Sequence, residues 1–233
     1  MTAIIREVTI GDCRLIQGDC LEVMKELGPV DAVVTDPPYG IGFCHSGGST
    51  KGVASKTNLH NMPIIGDSAP FNPSFLMSWP AIIWGGNHYG DMPSASRWLA
   101  WDKRPQSKVS NDQADCELAW TNLGGVARLF RHEWNGMLRG AESKTPRVHP
   151  TQKPIALMGW CLGFVPDAET ILDPFMGSGT TLVACAKMGR KGIGIELDPD
   201  YFDIACKRVE EAYKQPDLFV APPEKPEQTG FDL

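Results

Sequence analysis

The tetrapeptide Asp36-Pro37-Pro38-Tyr39 combines a carboxylate, two rigid residues and an aromatic ring at one point of the chain. It follows the apolar run 31–35, which predicts a short buried strand, and the prolines end that strand because they cannot donate to a sheet ladder. In an open parallel sheet, ligands bind at the carboxyl ends of the strands. The tetrapeptide is therefore a candidate reaction site.

A turn fixed by prolines can direct the Asp36 carboxylate and the Pro37 carbonyl at the two hydrogens of one exocyclic amine, such as adenine N6 or cytosine N4. These amines are poor nucleophiles because the ring delocalises their lone pair, and holding both hydrogens out of the ring plane would localise it. Tyr39 could stack on a flipped base, which is worth ~1–3 kcal/mol and offsets part of the cost of unstacking. The alternative is a structural turn that caps a strand.

A second candidate site is the segment D-P-F-M-G-S-G-T at 173–180, between a predicted strand and a predicted helix. The next predicted strand, 192–195, is followed by Glu196, which lies 19 residues after Gly177. An acid at this distance is typical of a carboxylate that binds ribose hydroxyls in nucleotide-binding βαβ units. Leu182 stands where a dinucleotide fingerprint has its third glycine, so a nucleoside without a pyrophosphate, such as S-adenosylmethionine, fits better.

Strands and helices are predicted to alternate along the chain, so that these motifs fall at strand ends. Apolar runs predict strands at 8–10, 15–16, 31–35, 81–84, 97–101, 117–121, 126–130, from 171, and at 192–195. Helical periodicity predicts helices at 20–27, from 154, from 180 to 188, and at 199–214. Asp19 is either the N-cap of the first helix or an acid that contacts a cofactor. Thr151 and Lys153, beside the start of the second helix, could hold a carboxylate or simply belong to a capped helix start.

The composition is that of an ordinary globular protein, with 233 residues, 42% of them apolar and 21% charged. No apolar stretch approaches the ~20 residues of a membrane span, and the amino terminus lacks a signal-peptide pattern, which predicts an intracellular, cytoplasmic protein without membrane contact. The seven cysteines form no C-x-x-C pair and the five histidines are scattered, so no metal site is expected.

The net charge of -6 is unevenly distributed, because residues 103–153 carry nine Lys and Arg against five acids. This local excess slightly favours DNA contact over a merely solvated basic face. The basic and irregular stretch 122–148 is the candidate target-recognition insertion, and the long polar loop 42–62 could close over a flipped base. The candidate DNA-contacting residues are Arg128, Arg131, Trp134, Arg139, Lys144 and Arg147.

Four motifs occur in one order: D-P-P-Y-G at 36–40, H-P-T-Q-K-P at 149–154, D-P-F-M-G-S-G-T at 173–180 and G-I-E-L-D at 194–198. From about residue 18 to residue 213 the chain thereby resembles the β arrangement of amino-methylating DNA methyltransferases, in which the catalytic motif precedes the cofactor motif. The resemblance implies an α/β, Rossmann-like class I S-adenosylmethionine-dependent fold with a mostly parallel, doubly wound sheet and a circularly permuted motif order. It also implies S-adenosylmethionine as donor, S-adenosylhomocysteine as product, double-stranded DNA as acceptor and no metal.

The resemblance assigns roles to the residues at matching positions. The target base would be held by Asp36, Pro37, Pro38 and Tyr39. The cofactor would be held by Asp19, Asp36, Thr151, Lys153, Asp173, Phe175, Gly177, Ser178, Gly179, Thr180, Glu196 and Leu197, with Lys153 and Thr151 near its methionine end and Asp19 near its adenine. Cytosine-N4 enzymes of the family usually carry serine at position 36, so the aspartate favours adenine N6. Longer relatives have a larger recognition segment than this chain.

Three alternatives stay open at this point: cytosine-N4 transfer on the same architecture, a nicotinamide-dependent oxidoreductase, and a non-enzymatic DNA-binding module. Residues 1–214 are predicted to form one methyltransferase domain, and the tail 215–233, with four prolines and few apolar residues, is predicted to be disordered. Within the tail, Gln215, Leu218 and Phe219 resemble the peptides that bind the bacterial sliding clamp, where a random exposed Leu-Phe pair is the alternative. A homodimer, a bacterial or phage origin and a place in restriction–modification are further expectations.

Overall fold

The computed structural model describes residues 2–41, 66–68, 71–104, 114–134 and 152–214. The strands within these ranges are β1 (Arg6–Ile10), β2 (Cys13–Gln17), β3 (Ala32–Thr35), β4 (Ala81–Trp84), β5 (Trp98–Asp102), β6 (Cys116–Thr121), β7 (Arg128–Arg131), β8 (Thr170–Asp173) and β9 (Lys191–Glu196). The helices are α1 (Cys20–Val23), α2 (Ile155–Leu162), α3 (Thr180–Lys187) and α4 (Pro199–Lys214).

The strands of the described ranges form one open sheet in the order β1-β2-β9-β8-β3-β4-β6-β5-β7. Its centre, from β2 through β9, β8 and β3 to β4, is parallel throughout. β1 pairs with β2 and β6 pairs with β4 in antiparallel fashion, β5 is antiparallel to β6, and β7 is parallel to β5. The predicted mostly parallel α/β architecture is thereby confirmed. Because β3 and β8 are parallel neighbours, the two motif-bearing turns that follow them leave the sheet at one edge.

Apolar side chains cover both faces of the sheet, as a doubly wound fold requires. On one face, α2, α3 and α4 bury residues such as Leu157, Leu182 and Phe202 against the strands. On the other face, Val23 of α1 and Leu76 pack in a second cluster. The central strands β3 and β4 are buried along their whole length, because parallel strands lie between two helical layers. The site is therefore built at the ends of fully buried strands.

Two predicted element boundaries are wrong. The helix predicted over 20–27 ends at Val23 and continues only as a single 3-10 turn, because Gly28 and Pro29 force the chain into an extended path towards β3. The strand predicted over 126–130 begins at Arg128 and ends at Arg131, because its pairing with β5 starts at Leu99 opposite Arg128 and ends at Asp102 opposite Arg131. Among the described residues no helix is long and apolar enough to cross a membrane.

Candidate active site

Acidic residues stand at the carboxyl ends of four neighbouring parallel strands. Asp19 follows β2, Glu196 ends β9, Asp173 ends β8 and Asp36 follows β3. The strand order places these ends side by side in that sequence. Segments predicted from separate motifs therefore meet at one edge of the sheet, which is where ligands bind in open α/β folds.

A buried hydrogen bond joins the end of β3 to the end of β8, which leads into residues 174–179, named here the glycine turn. The Thr35 hydroxyl donates to the Asp173 carboxylate over 2.7 Å, and the same carboxylate oxygen accepts the Phe175 N–H over 3.2 Å. Burial raises the pKa of Asp173 to about 6, although its hydrogen bonds oppose that change. Asp173 therefore serves in this structure as the buried link between the ends of β3 and β8.

The Asp36 carboxylate is engaged at both of its oxygens. Oδ1 accepts the Tyr39 hydroxyl over 2.8 Å, and Oδ2 forms an ion pair with Lys153 Nζ over 2.6 Å. Burial raises the pKa of Asp36, and this effect outweighs the opposing charge of Lys153. The Pro37 carbonyl accepts a long hydrogen bond of 3.4 Å from the Tyr89 hydroxyl, which also donates to the Trp84 carbonyl over 3.0 Å.

A second carboxylate, Glu117 at the start of β6, extends this network. Glu117 Oε2 pairs with Lys153 over 2.9 Å and Glu117 Oε1 pairs with Lys103 over 2.8 Å. We name Asp36, Tyr39, Lys103, Glu117 and Lys153 the carboxylate–lysine cluster. Its four charged side chains expose between 6% and 22% of their surface, so the two negative and two positive charges balance in a largely dry environment.

Protonation inside the carboxylate–lysine cluster follows from this arrangement. Burial by itself would raise the pKa of Glu117, but the ammonium groups of Lys153 and Lys103 outweigh it and lower the pKa to about 2. Burial by itself would lower the pKa of Lys153, but Asp36 and Glu117 raise it above its usual value. Burial and the nearby carboxylates raise the pKa of Tyr39 well above its usual value. At neutral pH, Lys153 and Tyr39 are therefore hydrogen-bond donors and Glu117 is an acceptor.

Glu117 and Lys103 belong to none of the four sequence motifs. β6 is antiparallel to its neighbour β4, so the residue that begins β6 lies at the same edge as the residues that end the parallel strands. The register pairs Trp101 with Glu117, and Lys103 follows two residues later. The available signal was an acid at the start of an otherwise apolar strand, but the direction of that strand was unknown.

The Tyr39 ring lies against His88 and Gly85, which both follow β4. The Tyr39 and His88 rings are stacked with centroids 4.8 Å apart and an interplanar angle of 15°. Gly85 has a φ of 78°, and a Cβ atom there would lie 2.2 Å from Tyr39 Cε1. A glycine is required at this position both for the backbone conformation and for the space that the ring occupies.

The glycine turn is shaped around Glu196. Its carboxylate accepts the Gly177 N–H over 2.9 Å and the Asp198 N–H over 2.8 Å. Burial raises the pKa of Glu196 to about 7 against the effect of these hydrogen bonds. Gly177 and Gly179 adopt φ values of 50° and 78°, and α3 begins directly after them. From α4, Arg208 donates to the Ser178 carbonyl and hydroxyl.

The other described residues predicted to hold a cofactor follow the ends of β2, β8 and β9. Asp19 is exposed and caps α1 by accepting the Leu21 N–H over 2.9 Å, so its predicted N-cap role is observed. Leu197 is 44% exposed directly after Glu196. Phe175 is half-buried with its ring edge-on to another aromatic ring. Thr180 receives a hydrogen bond of 3.1 Å from Arg208, whereas Thr151 lies outside the described residues.

The predicted DNA-contacting residues are only partly described. Arg128 and Arg131 are exposed on β7, at the end of the sheet. Trp134 is half-buried and packs against the core, and its ring centroid lies 6.2 Å from that of His132. Arg139, Lys144 and Arg147 lie outside the described residues, so their roles stay predictions. No group of His, Cys, Asp and Glu in the part of the chain that the structure describes could hold a metal ion.

Comparison with known proteins agrees with this geometry. A family model described as DNA methylase, of the N6 and N4 type, matches residues 96–207. "Putative methylase YubD" of Escherichia coli (strain K12) is 31% identical over 208 residues, which cover 84% of this chain and 89% of that protein. Type II methyltransferase M.ScaI of Streptomyces caespitosus is 27% identical over 257 residues, covering 85% of this chain and 82% of that protein.

Among solved structures, the PvuII DNA methyltransferase, described as cytosine-N4-specific, superposes with a TM-score of 0.55 at 14% identity and covers 91% of this chain and 95% of that one. The sheet is thus that of the class I S-adenosylmethionine-dependent methyltransferase fold. Within that class, the chain belongs to the amino-methylating DNA methyltransferases, the family that comprises adenine-N6 and cytosine-N4 enzymes. The predicted family and fold class are confirmed.

Proposed function

We propose that the protein transfers a methyl group from S-adenosylmethionine to the N6 amine of a flipped adenine in double-stranded DNA. The observation that supports this most is the position of Asp36, a carboxylate on a proline-fixed turn at the end of β3, directly beside the glycine turn at the end of β8. A carboxylate is a stronger acceptor for an amine than the serine usual in cytosine-N4 enzymes.

The residues around the glycine turn fit a nucleoside cofactor. Glu196 is partly exposed, and its two backbone hydrogen bonds use only part of the roughly four acceptor sites of a carboxylate, which leaves sites for ribose hydroxyls. Gly177 and Gly179 bring backbone to this surface without side chains. Asp173, Phe175, Ser178, Thr180, Leu197, Asp19, Thr151 and Lys153 complete the proposed set. When bound, S-adenosylmethionine supplies an electrophilic methyl group on its sulfonium.

On the DNA side, Asp36 and the Pro37 carbonyl would each accept one hydrogen of the target amine, which localises the nitrogen lone pair. Tyr39 would stack on the base. The amine nitrogen prepared in this way would be the nucleophile for the methyl group that the sulfonium supplies, and the extra proton of the methylated nitrogen would pass to Asp36 or to water. Holding both reactants in line could supply ~7–11 kcal/mol of the barrier reduction, and no covalent enzyme intermediate is needed.

The test is a nucleoside analysis of DNA methylated by the purified protein. Unmethylated DNA is incubated with S-adenosylmethionine, digested and separated, and the same DNA is sequenced with modified bases identified. We expect N6-methyladenine at one short sequence. N4-methylcytosine instead would overturn the adenine assignment and establish the second candidate, which the cytosine-N4-specific structural relative supports.

The DNA surface and the biological setting are part of the same proposal. Residues 122–148 would read the target, with Arg128, Arg131, Arg139, Lys144 and Arg147 contacting phosphates and Trp134 contacting a base or sugar. Relatives named as type II methyltransferases support a place in a restriction–modification system in a bacterial or phage-infected cytoplasm.

The tail, residues 215–233, lies outside the described residues. We propose weak binding of Gln215, Leu218 and Phe219 to a sliding clamp, measured by fluorescence anisotropy of the labelled protein. Leu218→Ala with Phe219→Ala should abolish that binding, and unchanged affinity would end the idea. A homodimer of the domain formed by residues 1–214 would appear as twice the monomer mass in light scattering.

A further inference from the structure

The two donors that engage Asp36 also reach one atom of Glu117. Lys153 Nζ lies 2.6 Å from Asp36 Oδ2 and 2.9 Å from Glu117 Oε2. The Tyr39 hydroxyl lies 2.8 Å from Asp36 Oδ1 and 3.5 Å from the same Glu117 Oε2. Glu117 Oε2 is therefore a second acceptor within reach of both groups, and neither has to leave the carboxylate–lysine cluster to use it.

This geometry matters because Asp36 has a task that competes with its present contacts. Each Asp36 oxygen already accepts one hydrogen bond, from Tyr39 or from Lys153, and turning its remaining acceptor site towards a target amine would change the alignment of that bond. A buried ammonium or hydroxyl that lost its acceptor would carry an uncompensated desolvation cost. An alternative acceptor at hydrogen-bond distance removes that cost.

Glu117 is itself firmly held in place. Its other oxygen, Oε1, accepts Lys103 Nζ over 2.8 Å, and its backbone is paired with Trp101 in the antiparallel ladder between β5 and β6. Lys103 is anchored in turn, because its N–H donates to the Asp115 carbonyl over 3.0 Å. The second acceptor is therefore positioned by the sheet and not by a loop.

We propose that Glu117 is a positioning residue for methyl transfer, which takes over the hydrogen bonds of Lys153 and Tyr39 when Asp36 accepts the target amine. This inference rests on the proposed function, since it assigns Glu117 a role in the same reaction. Glu117 does not contact the base or the methyl donor in this account. It acts through Lys153 and Tyr39 on the carboxylate that does.

The full-length variant Glu117→Gln keeps the size of the side chain and removes its charge, so it tests the inference directly. We expect kcat to fall about 10²-fold, with little change in the KM for S-adenosylmethionine. The surface variant Glu22→Gln, which removes an exposed carboxylate paired only with Lys25, is the matched control and should leave kcat unchanged.

The pH profile of kcat supplies a readout that a purely structural role would not move. Lys153, Glu117 and Tyr39 are the titratable groups whose charge or hydrogen bonds shift the pKa of Asp36, and the Asp36 charge in turn raises the pKa of Tyr89 and of Asp173. The Glu117 charge raises the pKa of Asp36. Removing this charge in Glu117→Gln should therefore lower the pKa of Asp36. Because Asp36 acts as a carboxylate, the fall of kcat at acidic pH, the acid limb of the profile, should move to lower pH in this variant.

The outcomes separate this inference from the proposed function. If wild-type protein methylates DNA while Glu117→Gln retains both its kcat and its acid limb, the positioning role is wrong and the proposed function stands. If the wild-type protein transfers no methyl group, the proposed function itself fails. Should Glu117→Gln not fold, as judged by its thermal melt, the charge-matched double variant Glu117→Gln with Lys103→Met replaces it, and the same loss and the same shift are expected.

Discussion

The ammonium group of Lys153 lies 2.6 Å from the carboxylate of Asp36, although 117 residues separate them in the chain. Asp36 is carried by the end of β3, and Lys153 stands just before α2, so the ion pair ties the start of that helix to the sheet edge. The structure thus shows Lys153 inside the carboxylate–lysine cluster. A contact of Lys153 with the methionine end of the cofactor stays a prediction.

Gly85→Ala should damage the target-base site through the Tyr39 ring. The new methyl group would lie 2.2 Å from Tyr39 Cε1, at a φ of 78° that disfavours alanine by about 1–2 kcal/mol. We expect a lower melting temperature and at least about a tenfold loss of kcat, measured by transfer of labelled methyl groups to DNA. Gly90→Ala is the control, because nothing lies within 4 Å of its added carbon. Full activity of Gly85→Ala would show that the observed ring position is irrelevant to catalysis.

Arg208→Met should weaken cofactor binding indirectly, because Arg208 holds the glycine turn in place and is not itself proposed to contact the cofactor. The guanidinium bridges α4 to the glycine turn through the Ser178 carbonyl and hydroxyl and the Thr180 hydroxyl, and hydrogen bonds from a charged group contribute about 1.5–3 kcal/mol each. Even partial loss of order in the turn should raise the Kd of S-adenosylmethionine about tenfold in calorimetry. Lys207→Met, at the exposed neighbouring position, should bind normally. Equal affinities for the two variants would contradict a supporting role for Arg208.

Cofactor affinity should rise as the pH increases through about 7, the pKa of Glu196, and level off roughly one pH unit above it. Burial raises the pKa of Glu196 to about 7, so below that pH the group is protonated and loses acceptor capacity for ribose hydroxyls. Calorimetry of S-adenosylmethionine binding between pH 5.5 and 8.5 measures this dependence. Asp173, whose pKa is about 6, also titrates in this pH range. The variant Glu196→Gln separates the two groups, because the part of the pH dependence that is lost in this variant is due to Glu196. An identical slope in that variant would exclude Glu196 as the ribose-binding group.

The sequence predicted those parts of the site that depend on one strand and the turn directly after it. The run before Asp36 is continuously apolar because β3 is buried on both sides, and the prolines mark its end. The glycine turn and Glu196 lie on consecutive elements, β8, α3 and β9, so their spacing alone predicted that they meet. These features depend on local geometry, and local geometry is encoded in neighbouring residues.

Contacts between distant elements could not be predicted in the same way. Glu117 reaches the site only because β6 is antiparallel to β4, and Lys103 reaches Glu117 only through the register of β5 on β6. Neither the direction nor the register of a strand is visible in its apolar pattern. Arg208, on an amphipathic helix far along the chain, is equally indistinguishable from a solvated arginine until α4 is packed beside the glycine turn.

In the proposed reaction the carboxyl group of Asp36 activates an exocyclic amine, while the glycine turn and Glu196 hold the methyl donor. The most direct measurement compares wild type and Asp36→Ala in two assays, namely calorimetric binding of S-adenosylmethionine and transfer of its labelled methyl group to DNA. We expect Asp36→Ala to bind the donor with nearly wild-type affinity and to transfer no detectable methyl group. Methyl transfer by Asp36→Ala at a rate near that of the wild type would contradict this role of Asp36.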